Sequence, residues 1–308
     1  MTVVRMSSLG PIFVVGVPRS GTTLAKACLN RHSRIHMLGE TRFFLTPYSF
    51  RNVYPSFSSW IDIAVTQCFS GIDPSLTSYR ATPAPTYRQK FNLADQSSPG
   101  AVFYALLEGA AADAGKDIGG EKSPLHFFAL QSILREYPGA RVVFVLRDYR
   151  AVRDSVNQRK NFALKDADLI ALYRLQQGVL ARYADRVLAI QYVDLCNRPE
   201  PVLREVCNFI GVPFEAAMLR PGMNNSSRNQ ALFSDQGKYT AENPELGINP
   251  AGAEAPYREY NLPRGPRLPV AWAMLRRGLR QKIADLGLNL PGAFRARRAM
   301  RENRNPPS

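Results

Sequence analysis

The sequence predicts an α/β protein whose parallel β-sheet is flanked by helices on both faces. Three observations carry this expectation. Ile12–Val17, Arg141–Leu146 and Arg186–Val193 are apolar runs of strand length, the pattern of strands covered from both sides. Each is followed by a segment with helical spacing: Thr22–Leu29, Arg150–Lys160 and Pro199–Ile210. Turn residues punctuate them, at Gly16-Val17-Pro18, Pro138-Gly139 and Gly211. Strand-then-helix alternation of this kind builds parallel sheets with crossover helices.

The remaining elements fit the same scheme. Ile35–Leu38 reads as a short strand, and a second short, Gly-flanked strand leads into Lys122. Helices are expected over Phe57–Phe69, Ala101–Ala114, Leu125–Tyr137 and Asp168–Ala184. Pro199–Ile210 opens on Pro, places Val202, Leu203, Val206 and Phe209 on one face, and stops at Gly211; these are strong helix boundaries. Gly71–Gly100 and Arg220–Arg267 are rich in Pro, Gly, Ser and Asn and read as irregular.

Length and charge set further bounds. A chain of 308 residues can bury a sizeable core; one domain over residues 1–263 and a basic helical tail over Arg264–Ser308 are expected. That tail carries eleven Lys and Arg against two acidic residues, which is +9 of the net +15. The body is therefore only moderately basic, enough to favour an anionic ligand. No run approaches the ~18 apolar residues of a membrane-spanning helix, and Met1–Gly10 has Arg5 but no apolar core of a signal peptide. The expected compartment is the cytoplasm. Cys28, Cys68, Cys196 and Cys207 lie far apart, as buried reduced thiols, and with His32, His36 and His126 they form no metal-ligand spacing.

The first strand runs into Gly16-Val17-Pro18-Arg19-Ser20-Gly21-Thr22-Thr23. Gly-x₄-Gly followed by hydroxyl residues at a helix start is a P-loop-type phosphate cradle, in which backbone N–H groups and the helix dipole converge on an anion. A Walker A loop has Lys directly after its second Gly; here Thr22 stands there, and the basic residue has moved forward to Arg19. A donor with one phosphate beside the transferred group has no γ-phosphate to reach. It needs a cation on the bridging oxygen, where charge develops, and Arg19 is placed for that role. A second anion anchor follows the strand Arg141–Leu146, where Arg147 and Ser155 stand about two helical turns apart. Arg grips phosphate bidentately and Ser adds a hydroxyl, at the carboxyl edge where open α/β sheets bind ligands.

The loop Pro18-Arg19-Ser20-Gly21-Thr22-Thr23 resembles the 5′-phosphosulfate loop of sulfotransferases that use PAPS (3′-phosphoadenylyl sulfate). It is most similar to the branch containing tyrosylprotein sulfotransferases and many bacterial members. The resemblance runs through roughly residues 11–45, 119–160 and 186–219 and implies the sulfotransferase fold, with PAPS as donor and PAP as product. It implies that Arg147, Ser155 and Arg159 hold the 3′-phosphate. Tyr192 matches a position that touches the nucleotide, although a core tyrosine is the equal alternative. Ser227 or Lys238, within Asn224–Lys238, is a weaker candidate for a cap over the nucleotide.

Sulfuryl transfer by in-line displacement also needs a base for the acceptor's proton. Glu40 in Gly39-Glu40 resembles the general base of the tyrosylprotein branch; the other reading is a cap on a helix starting at Arg42. Lys122 in Glu121-Lys122-Ser123-Pro124 resembles the family lysine near the sulfate. Pro124 stands where the other branch has its histidine base, and His126, two residues on, reads as structural. Arg150 and Arg153 read as a solvated basic face. The partners implied are PAPS and an acceptor that is a small molecule, lipid, glycan or peptide. No aromatic or motif signature points to nucleic acid. The tail helix Pro269–Leu286 either packs on the domain or makes peripheral contact with an anionic membrane. The competing classes are a P-loop kinase or nucleotide hydrolase, and a catalytically silent nucleotide-binding protein.

Overall fold

Five parallel strands form one sheet in the order β2-β3-β1-β4-β5 in the computed structural model, which describes residues 9–49, 51–53, 56–69, 83–157, 164–221 and 255–258. The strands are β1 (Ile12–Gly16), β2 (Ile35–Leu38), β3 (Ile118–Lys122), β4 (Arg141–Leu146) and β5 (Val187–Gln191). All pairings are parallel, with Val14 opposite Lys122, Leu38 opposite Glu121 and Gly16 opposite Val145. The carboxyl ends of β1 to β4 therefore share one edge.

Period-two alternation splits each central strand between two cores. Ile12, Val14, Val143 and Val145 face one side, where α1 (Thr22–Asn30), α8 (Tyr192–Asn197) and α9 (Pro199–Ile210) cover them. Phe13, Val15, Val142 and Phe144 face the other, packed by α2 (Phe57–Phe69), α4 (Pro99–Asp113), α5 (Leu130–Glu136), α6 (Tyr149–Asn157) and α7 (Asp166–Arg182). An aromatic stack forms the middle of this second layer: Phe43 lies 4.2 Å from Phe103, and Phe13 packs against Phe44, Phe103 and Tyr137. Each such ring contributes about 1.5–3 kcal/mol by leaving water.

Local chemistry sets the helix ends. Ser98 accepts the N–H of Ala101 at 3.1 Å ahead of Pro99 at the first turn of α4, a strong start signal. Gly211 closes α9 in the left-handed region at φ 93°, its N–H on the Cys207 carbonyl at 2.8 Å.

Several sequence expectations are corrected. The stretch 71–100 read as irregular contains α3 (Ala84–Lys90), with Pro83 ahead of it. The single helix expected over Leu125–Tyr137 is a 3₁₀ segment, Pro124–Ala129, followed by α5. The third apolar run ends at Gln191, and β5 is a half-buried edge strand. The tail from Arg264, Arg159, Ser227 and Lys238 lie outside the described residues.

Glycines let α4 approach the sheet. A Cβ on Gly119 would stand 2.6 Å from the Leu107 carbonyl oxygen, and one on Gly120 2.7 Å from that of Ile12. Gly119→Ala should cost about 1–3 kcal/mol through overpacking. Gly178 is exposed in the interior of α7, and a methyl group there would meet nothing within 4 Å. Gly178→Ala should instead gain about 0.5–1 kcal/mol. Urea denaturation of the two variants checks the opposite signs.

His36 on β2 supplies a pH dependence. Burial first, then the charges of Lys116 and Lys26, push its pKa down to about 4, while Asp113 pulls the other way. The unfolded chain binds that proton near pH ~6.5, so between the two values unfolding takes up a proton and stability falls as pH falls. Its contribution is whole above about pH 6.5 and lost towards about pH 4. Denaturation at pH 7 and pH 4.5 should show His36→Asn losing less stability than the parent, by about 1–3 kcal/mol.

Candidate active site

The strand order reverses direction between β1 and β4, because the chain leaves β1 towards β2 and leaves β4 towards β5. Loops after adjacent strands with opposite exits diverge and leave a crevice, the usual ligand site of such sheets. Both predicted anion anchors fall in that crevice.

The loop after β1 turns tightly. Ser20 N–H bonds the Val17 carbonyl at 3.0 Å, Arg19 sits in the left-handed region at φ 76°, and Gly21 follows at φ 102°. Gly21 has a second reason to lack a side chain: a Cβ there would lie 2.2 Å from the Tyr192 ring. α1 then starts with no side-chain cap and no acidic residue in its first turn, so its leading N–H groups suit an anion. Ser20 Oγ is buried without a hydrogen-bond partner.

The second anchor meets the first. Arg19 Nε donates to Ser155 Oγ at 3.2 Å, and an Arg147 Nη1 donates to the Arg19 carbonyl at 3.0 Å. The Arg147 guanidinium lies 4.3 Å over the Tyr192 ring, and Tyr173 Oη donates to the Arg147 carbonyl at 2.7 Å. Tyr192 thus belongs to the site rather than to the core alone, but as the first residue of α8 and not the end of a strand. Asp148, the acidic residue directly after Arg147, is buried and accepts the Arg150 N–H at 2.9 Å, capping α6. Arg150 is exposed and Arg153 reaches Asp154, as expected of a solvated face.

At the ends of β2 and β3, Lys122 Nζ donates to Glu40 Oε1 at 2.8 Å. Lys122 is almost fully buried while Glu40 keeps 31% of its side-chain surface open, so the carboxylate is reachable from outside and the ammonium is not. Arg42 stands 3.7 Å from the other Glu40 oxygen. Residues 43–49 form successive turns, so no helix begins at Arg42 for Glu40 to cap. His126 is wholly buried, its Nε2 accepting the Phe44 N–H at 3.3 Å and its Nδ1 against Glu121 Oε1. Both ring nitrogens are turned inward. Among the described residues no group of three or more His, Cys, Asp or Glu is arranged to hold a metal ion.

Sequence reasoning missed Glu121, which has no exposed surface. The available signal was a carboxylate ahead of Lys122 inside a strand that otherwise holds only Ile and Gly, in Ile118-Gly119-Gly120-Glu121-Lys122.

A phosphate-type loop and a second basic anchor at the switch point of a parallel sheet define a P-loop-like group-transfer class. The Sulfotransferase family matches residues 11–216, and the chain belongs to that family. Its relatives include the protein-tyrosine sulfotransferase of Drosophila melanogaster, 26% identical over 219 residues, covering 68% of this chain and 39% of that protein. Protein-tyrosine sulfotransferase 1 of Danio rerio is 26% identical over 220 residues, covering 68% and 55%. The chain thus spans less than two thirds of the length of these two relatives. In fold it is similar to the sulfotransferase domain of the Synechococcus PCC 7002 olefin synthase, with TM-score 0.50, 18% identity, and 89% and 94% of the two chains covered.

Proposed function

We propose that the protein transfers a sulfuryl group from PAPS to an acceptor hydroxyl or amine, with Glu40 as general base. The observation that carries the reading is the meeting of the two anchors, Arg19 on Ser155 and Arg147 on the Arg19 carbonyl, in one crevice with the Glu40–Lys122 pair at the same sheet edge. The residues present fit the donor. An uncapped helix start and a buried Ser20 hydroxyl without a partner suit a phosphosulfate. Pro18 to Thr23 would hold that end, while Arg147 and Ser155, joined by Arg159 in the family pattern, would hold a 3′-phosphate. When bound, PAPS supplies an activated sulfuryl group on a good leaving group.

This chain's own residues then have three tasks. Arg19 brings a fixed positive charge to the loop, where it offsets negative charge developing during transfer. Glu40 accepts the acceptor's proton, and Lys122 holds its carboxylate in one place until then. Protonating Glu40 ends its pull on Lys122 Nζ, leaving the ammonium to stabilise negative charge elsewhere in the crevice. The Thr22 in place of a Walker lysine and the capping duty of Asp148 give a kinase reading no support.

Calorimetric titration tests the nucleotide: PAP should bind without metal, and ATP–Mg²⁺ binding in its place would overturn the reading. Arg147→Ala should weaken PAP by at least about tenfold, in line with ~1.5–3 kcal/mol for a hydrogen bond to a charged group. Adenosine 5′-phosphosulfate, which lacks the 3′-phosphate, should lose far less; an equal loss for both would refute the assignment. Glu40→Gln should keep PAP affinity and lose about 10²–10⁴-fold in turnover, measured with labelled PAPS and an acceptor found by screening.

A further inference from the structure

Glu121 is a carboxylate with no exposed surface, set in the sheet beside Lys122. An ionised group in that position is several kcal/mol unfavourable unless its oxygens are satisfied. Both are contacted in an ordered way, one through hydrogen bonds from hydroxyls and the other by close approach of an imidazole. Oε2 accepts Thr41 Oγ1 at 2.9 Å and Ser123 Oγ at 2.8 Å, and Oε1 meets His126 Nδ1.

Each of those three groups then accepts a backbone N–H from the segment that follows Glu40. Ser123 Oγ takes that of Arg42 at 3.1 Å, Thr41 Oγ1 that of Phe43 at 3.3 Å, and His126 Nε2 that of Phe44 at 3.3 Å. Three consecutive amides thus lead through three side chains to one carboxylate. The arrangement also fixes proton positions. With Nε2 accepting, His126 carries its proton on Nδ1, towards Glu121. The two hydroxyls turn their protons the same way and keep their lone pairs for the amides.

The segment needs such a hold. Arg42 adopts φ 53°, a left-handed conformation that is unfavourable for a residue with a side chain. Strain of this kind persists only where surrounding contacts enforce it. Neighbouring positions of β3 grip neighbouring positions of the segment, Glu121 on Thr41 and Lys122 on Glu40.

We propose that Glu121 is a positioning residue for the transfer reaction: through Thr41, Ser123 and His126 it clamps residues 41–44 and so fixes the Glu40 carboxylate against Lys122. This rests on the reading of Glu40 as the base. A carboxyl in this place can serve all three donors only as a carboxylate, because an amide or a protonated acid turns one oxygen position into a donor. A misplacement of about 1 Å at a reacting group costs on the order of 10²-fold in rate, so loosening the clamp should appear in turnover and not in nucleotide affinity.

Amide hydrogen exchange, read residue by residue, tests the clamp without an acceptor. In Glu121→Gln and, should that variant fold poorly, in Thr41→Val, the amides of Arg42, Phe43 and Phe44 should exchange at least about tenfold faster. Those of β1 and β4 should be unchanged, and PAP affinity should stay within about twofold. Thr41→Ser, which keeps the hydroxyl, should retain the protection. Turnover should fall by about 10–100-fold in the first two variants. Unchanged exchange at the three amides would overturn the inference, as would loss of PAP affinity in parallel with turnover, which would make Glu121 a support of the whole sheet edge. Glu40→Gln separates this from the base reading: it should leave the three amides protected while turnover collapses. Normal turnover in Glu40→Gln would remove the base, and the exchange data would still decide whether residues 41–44 are clamped.

Discussion

A hydrogen bond from the Arg147 guanidinium to the Arg19 carbonyl joins the loop after β1 to the loop after β4, and the organisation of the crevice depends on it. Neither loop is near the other in sequence. They are brought together because the sheet reverses its winding between β1 and β4. The bond has a further effect: it engages the carbonyl of a residue in a left-handed conformation, φ 76°, and so braces the turn at its strained position. Tyr173, Tyr192 and Ser155 then pack or bond around the two arginines, so the charged groups are held by the protein before any anion arrives. Preorganisation of this kind avoids reorganisation during the reaction, which is where electrostatic catalysis gains most.

The site has a second half with a different construction. Around Arg19 and Arg147, cations are presented by backbone turns. Around Glu40, a turn is held by side chains whose protons all run to one buried acid. The first half suits recognition of a large anion. The second suits close placement of one carboxylate, and the wall of aromatic rings directly behind it, Phe43, Phe44 and Phe103, gives the turn a rigid backing.

Much of this is legible in the sequence, for identifiable reasons. β1 and β4 are buried on both faces, so their composition is almost purely apolar and cannot be mistaken. The phosphate loop and Arg147-x₇-Ser155 are short-range patterns fixed by the geometry of a strand end and a helix start. α9 announces itself by Pro and Gly at its two ends. What stays hidden depends on contacts between segments distant in sequence. Glu121 reads as an ordinary flank of Lys122 until the fold brings Thr41 and His126 to it. Tyr192 reads as a strand residue because its neighbours are apolar; in the structure the chain coils at once into α8, and that bend is what lays the ring on Gly21. The 3₁₀ segment at Pro124–Ala129 carries helix-like spacing, but His126 must point at Glu121 and Phe44, and tighter winding achieves this.

The five residues of β3 also bear on how this protein can be altered. Ile118 fills the core, Gly119 and Gly120 leave room for the backbones of α4 and β1, Glu121 gathers the turn, and Lys122 meets Glu40. Every position answers to a different neighbour, and none of them faces solvent. Such a strand has almost no freedom to drift. Changes meant to reshape the crevice should leave it untouched and vary the outer turns beyond Phe44, where a change of shape need not be transmitted to Glu40 and Lys122.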